Sequence, residues 1–310
     1  MNFVCLSDIH LSSENPEARL DDLVEVQFGK FEFALRYAKE HGAPILHAGD
    51  LCHKPRSWFV LPQLIDLLKK YQVPFYSIRG QHDDYMYSEE TKDRTTLGIL
   101  VKAGLITRLD TEKGMVVQDT CLFGANFGQK LAKVQRRGFT VGVIHASISN
   151  TALWPGHQYT DAAKFLDDNP DYDFILVGDI HQQFYVEAQG GRCLLNVGPM
   201  LRREATEYNY GHEPSLYFLD TENPKKCKRV TIPHAKAEAV LSRDHIDRKT
   251  EAEDLLDDFV REMKEIHPEM EGSGVSFVEN MLKFAQENNF DEGVMKVLSR
   301  FMEKTKWEGL

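Results

Sequence analysis

Five short clusters of acids, histidines and amides are spaced through the chain, each directly after an apolar run. They read Asp8-Ile9-His10, Gly49-Asp50, Gly80-Gln81-His82-Asp83, His145 and Gly178-Asp179-Ile180-His181. Carboxylate, imidazole and amide donors suit hard or borderline divalent ions such as Mn²⁺, Mg²⁺, Fe²⁺ or Zn²⁺, and no thiolate biases the set towards softer metals. Two such ions about 3.5–4 Å apart, joined by a bridging carboxylate, can grip the non-bridging oxygens of a phosphodiester and acidify a water. Asp50 suits the bridge, because it follows a glycine that lets the backbone turn tightly. Taken singly, each cluster has an ordinary explanation: a DxH arises by chance, a Gly-Asp is a turn, a lone histidine packs in a core. The ordered set of five is what points to a dinuclear metal centre.

The elements that must present these clusters are legible in outline. Strand candidates lie at 2–6, 44–48, 74–79, 115–126, 139–145, 174–177, 192–197, 215–220 and 228–233. Helices are expected near 26–41 and 59–71, where apolar residues recur at three- and four-residue spacing. Strand–helix–strand alternation implies parallel strands with helices on their faces. The carboxyl edge of such a sheet is where ligands bind, and all five clusters fall there. From about residue 110 strands dominate, which predicts a second, more antiparallel layer. The expected fold is α/β, a β-sandwich flanked by helices over residues 1–235, with a helical appendage over 236–310. In that appendage Leu255, Phe259, Val260 and Met263, and Phe277, Met281, Phe284 and Phe290, form apolar stripes on either side of a glycine-containing hinge at 270–274.

Composition narrows the function. Of 310 residues, 42% are hydrophobic and 27% charged, an ordinary globular balance. There is no run of about 18 apolar residues to cross a membrane and no basic, apolar leader. Five widely spaced cysteines without a CxxC pair predict neither a zinc knuckle nor a disulfide framework, and so a reducing, cytoplasmic setting. The net charge of −11 argues against a free-standing, non-specific DNA binder. Residues 236–310 hold 11 Lys/Arg against 18 Asp/Glu, a net of −7, leaving −4 for the rest.

The motif order resembles the calcineurin-like metallophosphoesterase superfamily, whose pattern is DxH, GD, GNH(D/E), a lone His, and GHxH. The resemblance spans roughly residues 1–235. Within the superfamily the chain looks most like the nuclease subunit of the bacterial SbcC–SbcD complex and its phage counterparts. Two features carry that branch: Asp50-Leu51-Cys52-His53-Lys54-Pro55, similar to its GDLFH-and-proline segment, and Asn196-Val197-Gly198-Pro199-Met200-Leu201-Arg202-Arg203, placed like its PGS segment. By position, the resemblance implies a first metal on Asp8, His10, Asp50 and His181, and a second on Asp50, Gln81, His145 and Asp179. It makes His82 the general acid, Asp83 the acid orienting it, and His53 a seat for the DNA backbone. It implies two Mn²⁺ ions (Mg²⁺ being the other candidate), DNA as substrate, and a role in repair or recombination. An SbcC-type ATPase is the implied partner, with residues 236–310 capping the core or docking on that ATPase. A homodimer fits the same picture. The setting would be a bacterial or phage-infected cell.

Two expected second-metal ligands depart from the pattern: Gln81 stands for asparagine and Asp179 for the first histidine of GHxH. Glutamine keeps the amide oxygen but extends it by about 1.5 Å. Aspartate replaces a neutral nitrogen with an anionic oxygen, favouring Mn²⁺ or Mg²⁺ over zinc. The expectation is an active but retuned second site. Phosphate contacts are expected from Arg202 and Arg203, from a basic helical segment at Lys130, Lys133, Arg136 and Arg137, and from Lys225, Lys226, Lys228 and Arg229. Tyr85, Met86 and Tyr87 are candidates to line the substrate cleft. Two rival readings keep the same fold: a small-molecule phosphodiesterase or phosphatase, and a catalytically dead scaffold.

Overall fold

The computed structural model describes residues 1–244 except Arg137, and beyond them 246–248, 250, 255, 285, 290, 291 and 293–296. The chain divides into two compact units, Met1–Arg243 and Asp244–Leu310. The sheets and the candidate site belong to the first. The expected hinge at 270–274 and the apolar stripes lie outside the described residues, Leu255 and Phe290 excepted. No helix among the described residues is long and apolar enough to cross a membrane.

Strand and helix alternate through β1 (Asn2–Leu6), α1 (Leu23–Glu40), β2 (Ile45–His47), α2 (Leu61–Tyr71), β3 (Phe75–Ser77), α3 (Thr96–Lys102) and β4 (Thr107–Arg108). Asp22 starts α1 by accepting from the Glu25 amide, and Thr95 starts α3 by accepting from that of Gly98. The second half contributes β5 (Met115–Val117), β6 (Thr120–Ala125), β7 (Phe139–His145), β8 (Ile148–Ser149), β9 (Thr160–Asp161), α4 (Ala162–Asp168), β10 (Phe174–Gly178), β11 (Phe184–Glu187) and β12 (Cys193–Asn196). The chain then forms α5 (Glu207–Gly211), β13 (Ser215–Asp220), β14 (Lys228–Thr231) and α6 (Ala237–Val240).

Two six-stranded sheets result, ordered β14-β13-β1-β2-β3-β4 and β11-β12-β10-β7-β6-β5, with β8 and β9 as a separate pair. The first sheet is parallel from β1 to β4 and carries β13 antiparallel against β1. The second was expected to be more antiparallel. Its core pairs, β6–β7, β7–β10 and β10–β12, are instead parallel, and only its edge strands β5 and β11 run the other way. Parallel strands need crossovers, which here run largely through loops and the short α4 rather than through long helices. The expected strand at 115–126 is a hairpin, broken at Gln118, whose φ is 55°. The basic segment at 130–136 is not helical. Lys133 donates to the Asp168 carbonyl at 2.7 Å and Arg136 pairs with Asp173, so both cations tie this segment to the chain around α4.

Alternation along the strands builds the layers. Phe3 and Cys5 join Leu46, Val141, Val143, Phe174 and Leu195 between the sheets. Val4 and Leu6 face the other way, against Phe31, Leu35, Leu64 and Leu68 of α1 and α2. Ile175 and Val177 pack on Ala162 and Leu166 of α4. Because both faces of the central strands are covered, their sequences are nearly unbroken apolar runs. The strands that precede the five clusters, β1, β2, β3, β7 and β10, are thereby fixed in direction, and their carboxyl ends deliver the polar loops together.

Candidate metal centre

The loops begin with unusual backbone. Asp8, His10, Asp50 and Asp179 have φ of 49°, 51°, 58° and 95°. The other described non-glycine residues with positive φ are Gln72, Met86 and Gln118. A left-handed non-glycine residue costs on the order of 1–3 kcal/mol and persists where its surroundings dictate it. Here the Asp8 amide donates to the Gly49 carbonyl at 3.1 Å, and the His10 amide to that of Asp50 at 2.9 Å. The loops also approach so closely that a Cβ on Gly80 would strike the Asp50 carboxylate, and one on Gly178 the Ala48 carbonyl. The segment 196–199 braces the same region: the Asn196 side chain donates to the Ile180 carbonyl at 2.7 Å, and Ser7 Oγ to that of Gly198 at 3.2 Å.

The side chains converge in two sets about Asp50. In the first, His10 Nε2 lies 3.1 Å from His181 Nε2 and 3.8 Å from Asp50 Oδ2, and His181 Nε2 lies 4.0 Å from Asp8 Oδ1. In the second, His145 Nε2 lies 3.5 Å from Asp50 Oδ2 and 3.9 Å from Asp179 Oδ1. The two residues that depart from the expected pattern meet each other: Gln81 Nε2 donates to Asp179 Oδ1 at 2.7 Å. Asp50 Oδ1 accepts from the His82 amide at 2.8 Å, which leaves Oδ2 as the atom common to both sets.

Six buried atoms here have no hydrogen-bond partner: Asp8 Oδ2, His10 Nδ1, Asp50 Oδ2, His53 Nδ1, Gln81 Oε1 and His145 Nε2. Buried polar groups are almost always paired, and each exception calls for a cause. All six are oxygens or imidazole nitrogens of the kind that binds divalent ions, and Asp8, His10 and His181, like Asp8, Asp50 and His145, bring donor atoms within 4.8 Å of one another. His145 Nδ1 faces the Ala48 carbonyl at 2.6 Å; that contact fixes the ring and directs Nε2 inward, a usual support for a metal-ligating histidine. The residues therefore fit a pair of cations.

Electrostatics agree. Burial works against charge on Asp50, but the surrounding His145, His10 and His82 hold its carboxyl well below the ordinary range. Burial raises Asp8. Burial also opposes a charge on His145, yet Asp50, Asp8 and Asp179 push it up to about 10. Crowded carboxylates thus demand positive charge in this position, which a proton supplies when a cation does not.

His82 and His53 flank the first set. His82 Nδ1 faces the His53 carbonyl at 2.8 Å, and the two rings stack at 5.2 Å. This corrects the expected role of Asp83. Its buried carboxylate accepts from the amides of Asp50, Gly80 and Leu51 at 2.8, 3.0 and 3.2 Å, so it ties the Asp50 loop to the Gly80 turn rather than orienting the His82 ring. Arg203 reaches the His10 carbonyl at 3.3 Å, beside the centre. Arg202 does not belong with it: buried at 4% exposure, it donates to the carbonyls of His212 and Ala235 at 2.7 and 2.9 Å and so holds the fold. Tyr85 is half-buried with the Arg56 guanidinium 3.8 Å over its ring. In the third basic cluster, Arg229 is held by Ser215 and Glu213 on the first sheet's edge, and Lys225 pairs with Glu187.

Sequence reading missed a groove of about 790 Å³ that shares Gln81 and Asp179 with the centre and is otherwise lined by Phe127, Ser147, Trp154, Gly156, His157, Gln158 and Ile180. The signal was present in the close spacing of Trp154, His157 and Tyr159.

Loops from five parallel strand ends that gather carboxylates, imidazoles and an amide around one shared aspartate define a metal-dependent phosphoesterase. The sequence profile of the calcineurin-like phosphoesterase superfamily domain matches residues 1–223, and the chain belongs to that superfamily. No curated protein sequence matches it. Among solved structures it is similar to a dimetal phosphatase from Danio rerio (TM-score 0.49, 9% identity, over 76% of this chain and 99% of that one). It is also similar to a 5′-nucleotidase from Candida albicans (0.44, 14%, 75% and 52%) and to the calcineurin-like phosphoesterase YfkN from Bacillus subtilis (0.41, 10%, 70% and 83%).

Proposed function

We propose that this protein is a two-metal DNA nuclease that works on Mn²⁺ as the catalytic subunit of an SbcC–SbcD-like repair complex. The observation that carries the reading is the set of unpartnered buried donors about Asp50, with His82 and His53 stacked beside them. Paired divalent ions would supply electrostatic grip on a phosphodiester and an acidified water. The chain's own residues supply the rest. His82, held by the His53 carbonyl, is placed to give a proton to the leaving oxygen. Arg203, at the rim of the centre, is placed to meet a neighbouring phosphate. Asp83 keeps the Asp50 and His82 loops in register. The negative net charge suits a subunit that relies on a partner for most of its grip on DNA, and the apolar stripes of 236–310 are the proposed docking surface for an SbcC-type ATPase.

The test is Mn²⁺-dependent cleavage of linear and single-stranded DNA by wild type and His82→Ala, with and without a candidate ATPase. A nitrophenyl phosphodiester and a phosphopeptide serve as competing substrates. The reading expects DNA cleavage that falls about 10²–10⁴-fold in the variant. Preference for the small diester or the phosphopeptide would replace the nuclease by another phosphoesterase. No hydrolysis of any substrate, with partner binding intact, would leave a scaffold.

A further inference from the structure

We infer that the groove beside the metal centre is a stacking subsite for one unpaired nucleobase next to the scissile phosphate, with Trp154 as its platform. The inference rests on the DNA-cleaving reading and specifies which form of DNA that centre takes. Four observations carry it.

First, the groove is continuous with the centre, because Gln81 and Asp179 form part of its wall. A phosphate held by the ions would therefore place the adjoining nucleoside at the groove mouth. Second, the wall is built from aromatic, amide, aliphatic and small groups and the Asp179 carboxylate, with no Lys or Arg among its lining residues. Such a wall suits a neutral base better than a phosphate, and Gln158 offers an amide to a base edge.

Third, the platform is braced by its neighbours. The Trp154 and His157 rings lie 4.1 Å apart, and those of His157 and Tyr159 lie 5.1 Å apart and stack. His157 is held at both nitrogens: Nδ1 accepts from the Leu153 amide at 3.3 Å, and Nε2 faces Ser147 Oγ at 3.2 Å. Ser147 lies two residues beyond His145, so the aromatic ladder is anchored to the strand that delivers a metal donor. Fourth, Trp154 is 56% exposed and Phe127, on the same wall, 41%. A large indole left in water beside a reactive centre is an apolar surface suited to a flat partner. Base–aromatic stacking is tolerant of sequence, because every base has a π-face. It needs a base whose own face is free, so the substrate is a single strand or a frayed end rather than an intact duplex.

The experiment measures steady-state cleavage of a single-stranded oligodeoxynucleotide, and of the same strand with abasic spacers on both sides of one phosphodiester. Trp154→Ala is expected to raise KM for the intact strand about five- to hundredfold, and Trp154→Phe to recover most of it. At the abasic step wild type and Trp154→Ala should behave alike, and Mn²⁺ binding by calorimetry should not change between them. Equal KM for wild type and Trp154→Ala on the intact strand would overturn the subsite while leaving the nuclease reading in place. So would an equal loss at the abasic step. Failure of wild type to cut either strand while it cuts linear duplex DNA would overturn the subsite, and failure on all of these substrates would overturn the nuclease reading itself.

Discussion

The contact between Gln81 and Asp179 allows a sharp test of how the second metal set is built. Gln81 Nε2 donates to Asp179 Oδ1 at 2.7 Å, while Gln81 Oε1 stays buried and unpartnered. The carboxylate thus holds the amide through its nitrogen and leaves the oxygen free to act as a donor. In Gln81→Asn the side chain is shorter by about 1.5 Å, and the bond breaks. In Asp179→His the anionic acceptor is gone. A hydrogen bond to a charged group contributes about 1.5–3 kcal/mol, which converts to about 10–150-fold in affinity for the second ion. Each single variant should lose that much through the broken bond, Asp179→His in addition to the effect of exchanging the ligand itself. The double variant has only one such bond to lose, so its loss should fall short of the sum by the same 1.5–3 kcal/mol or so. Its preference should also move from Mn²⁺ towards zinc, as an imidazole replaces a carboxylate. Calorimetric titration of Mn²⁺ and Zn²⁺ into the four proteins reads both quantities. Losses that add to within about 0.5 kcal/mol would refute the coupling, and with it the claim that the two replacements act as a pair.

Burial beside Arg19 and Arg202 lowers Lys30 to about 7 from 10.5. The unfolded chain therefore holds this proton through the window between those values where the folded chain has lost it, and stability should rise with pH from about 7 to 10.5. Replacing Lys30, which is 6% exposed, by Met should stabilise the fold by about 1–4 kcal/mol at pH 6. That advantage should shrink towards pH 10.5, as read from urea midpoints of both proteins across the range. Because nearby carboxylates push His145 up to about 10, binding of a cation at its Nε2 must expel a proton. Mn²⁺ titrations at pH 7 in buffers of different ionisation enthalpy should show about one proton released, with affinity rising with pH; no release would contradict the charge state drawn for the centre. The adjacent arginines should separate cleanly. Arg203→Gln should weaken substrate binding with little change in thermal midpoint. Arg202→Gln, which breaks bonds to two buried carbonyls, should lower stability by about 1–3 kcal/mol.

Much of the site was written in the sequence because its chemistry is punctuated by strands. β1, β7 and β13 match their expected limits, and the clusters lie where β1, β2, β3, β7 and β10 end. What stayed hidden depended on tertiary packing. Arg202 and Arg203 are neighbours in sequence; only the fold decides that one braces the interior and the other meets the centre. Asp83 follows His82, which suggested a partner for the ring, yet three backbone amides claim its carboxylate. The basic segment at 130–136 has helix-like spacing but spends its charges on Asp173 and the Asp168 carbonyl. Strand direction in the second sheet was obscured because loops replace the helices that usually announce parallel pairing. The Gln81–Asp179 contact joins positions 98 residues apart, and each was visible only as a separate departure.

The account stands on Asp50 as the carboxylate shared by two cations, and crystals grown with excess Mn²⁺ test this most directly. Anomalous scattering should locate two ions per chain about 3.5–4 Å apart, both within bonding distance of Asp50, one also on His10 and the other on His145. A single ion, or a pair that does not share Asp50, would contradict it.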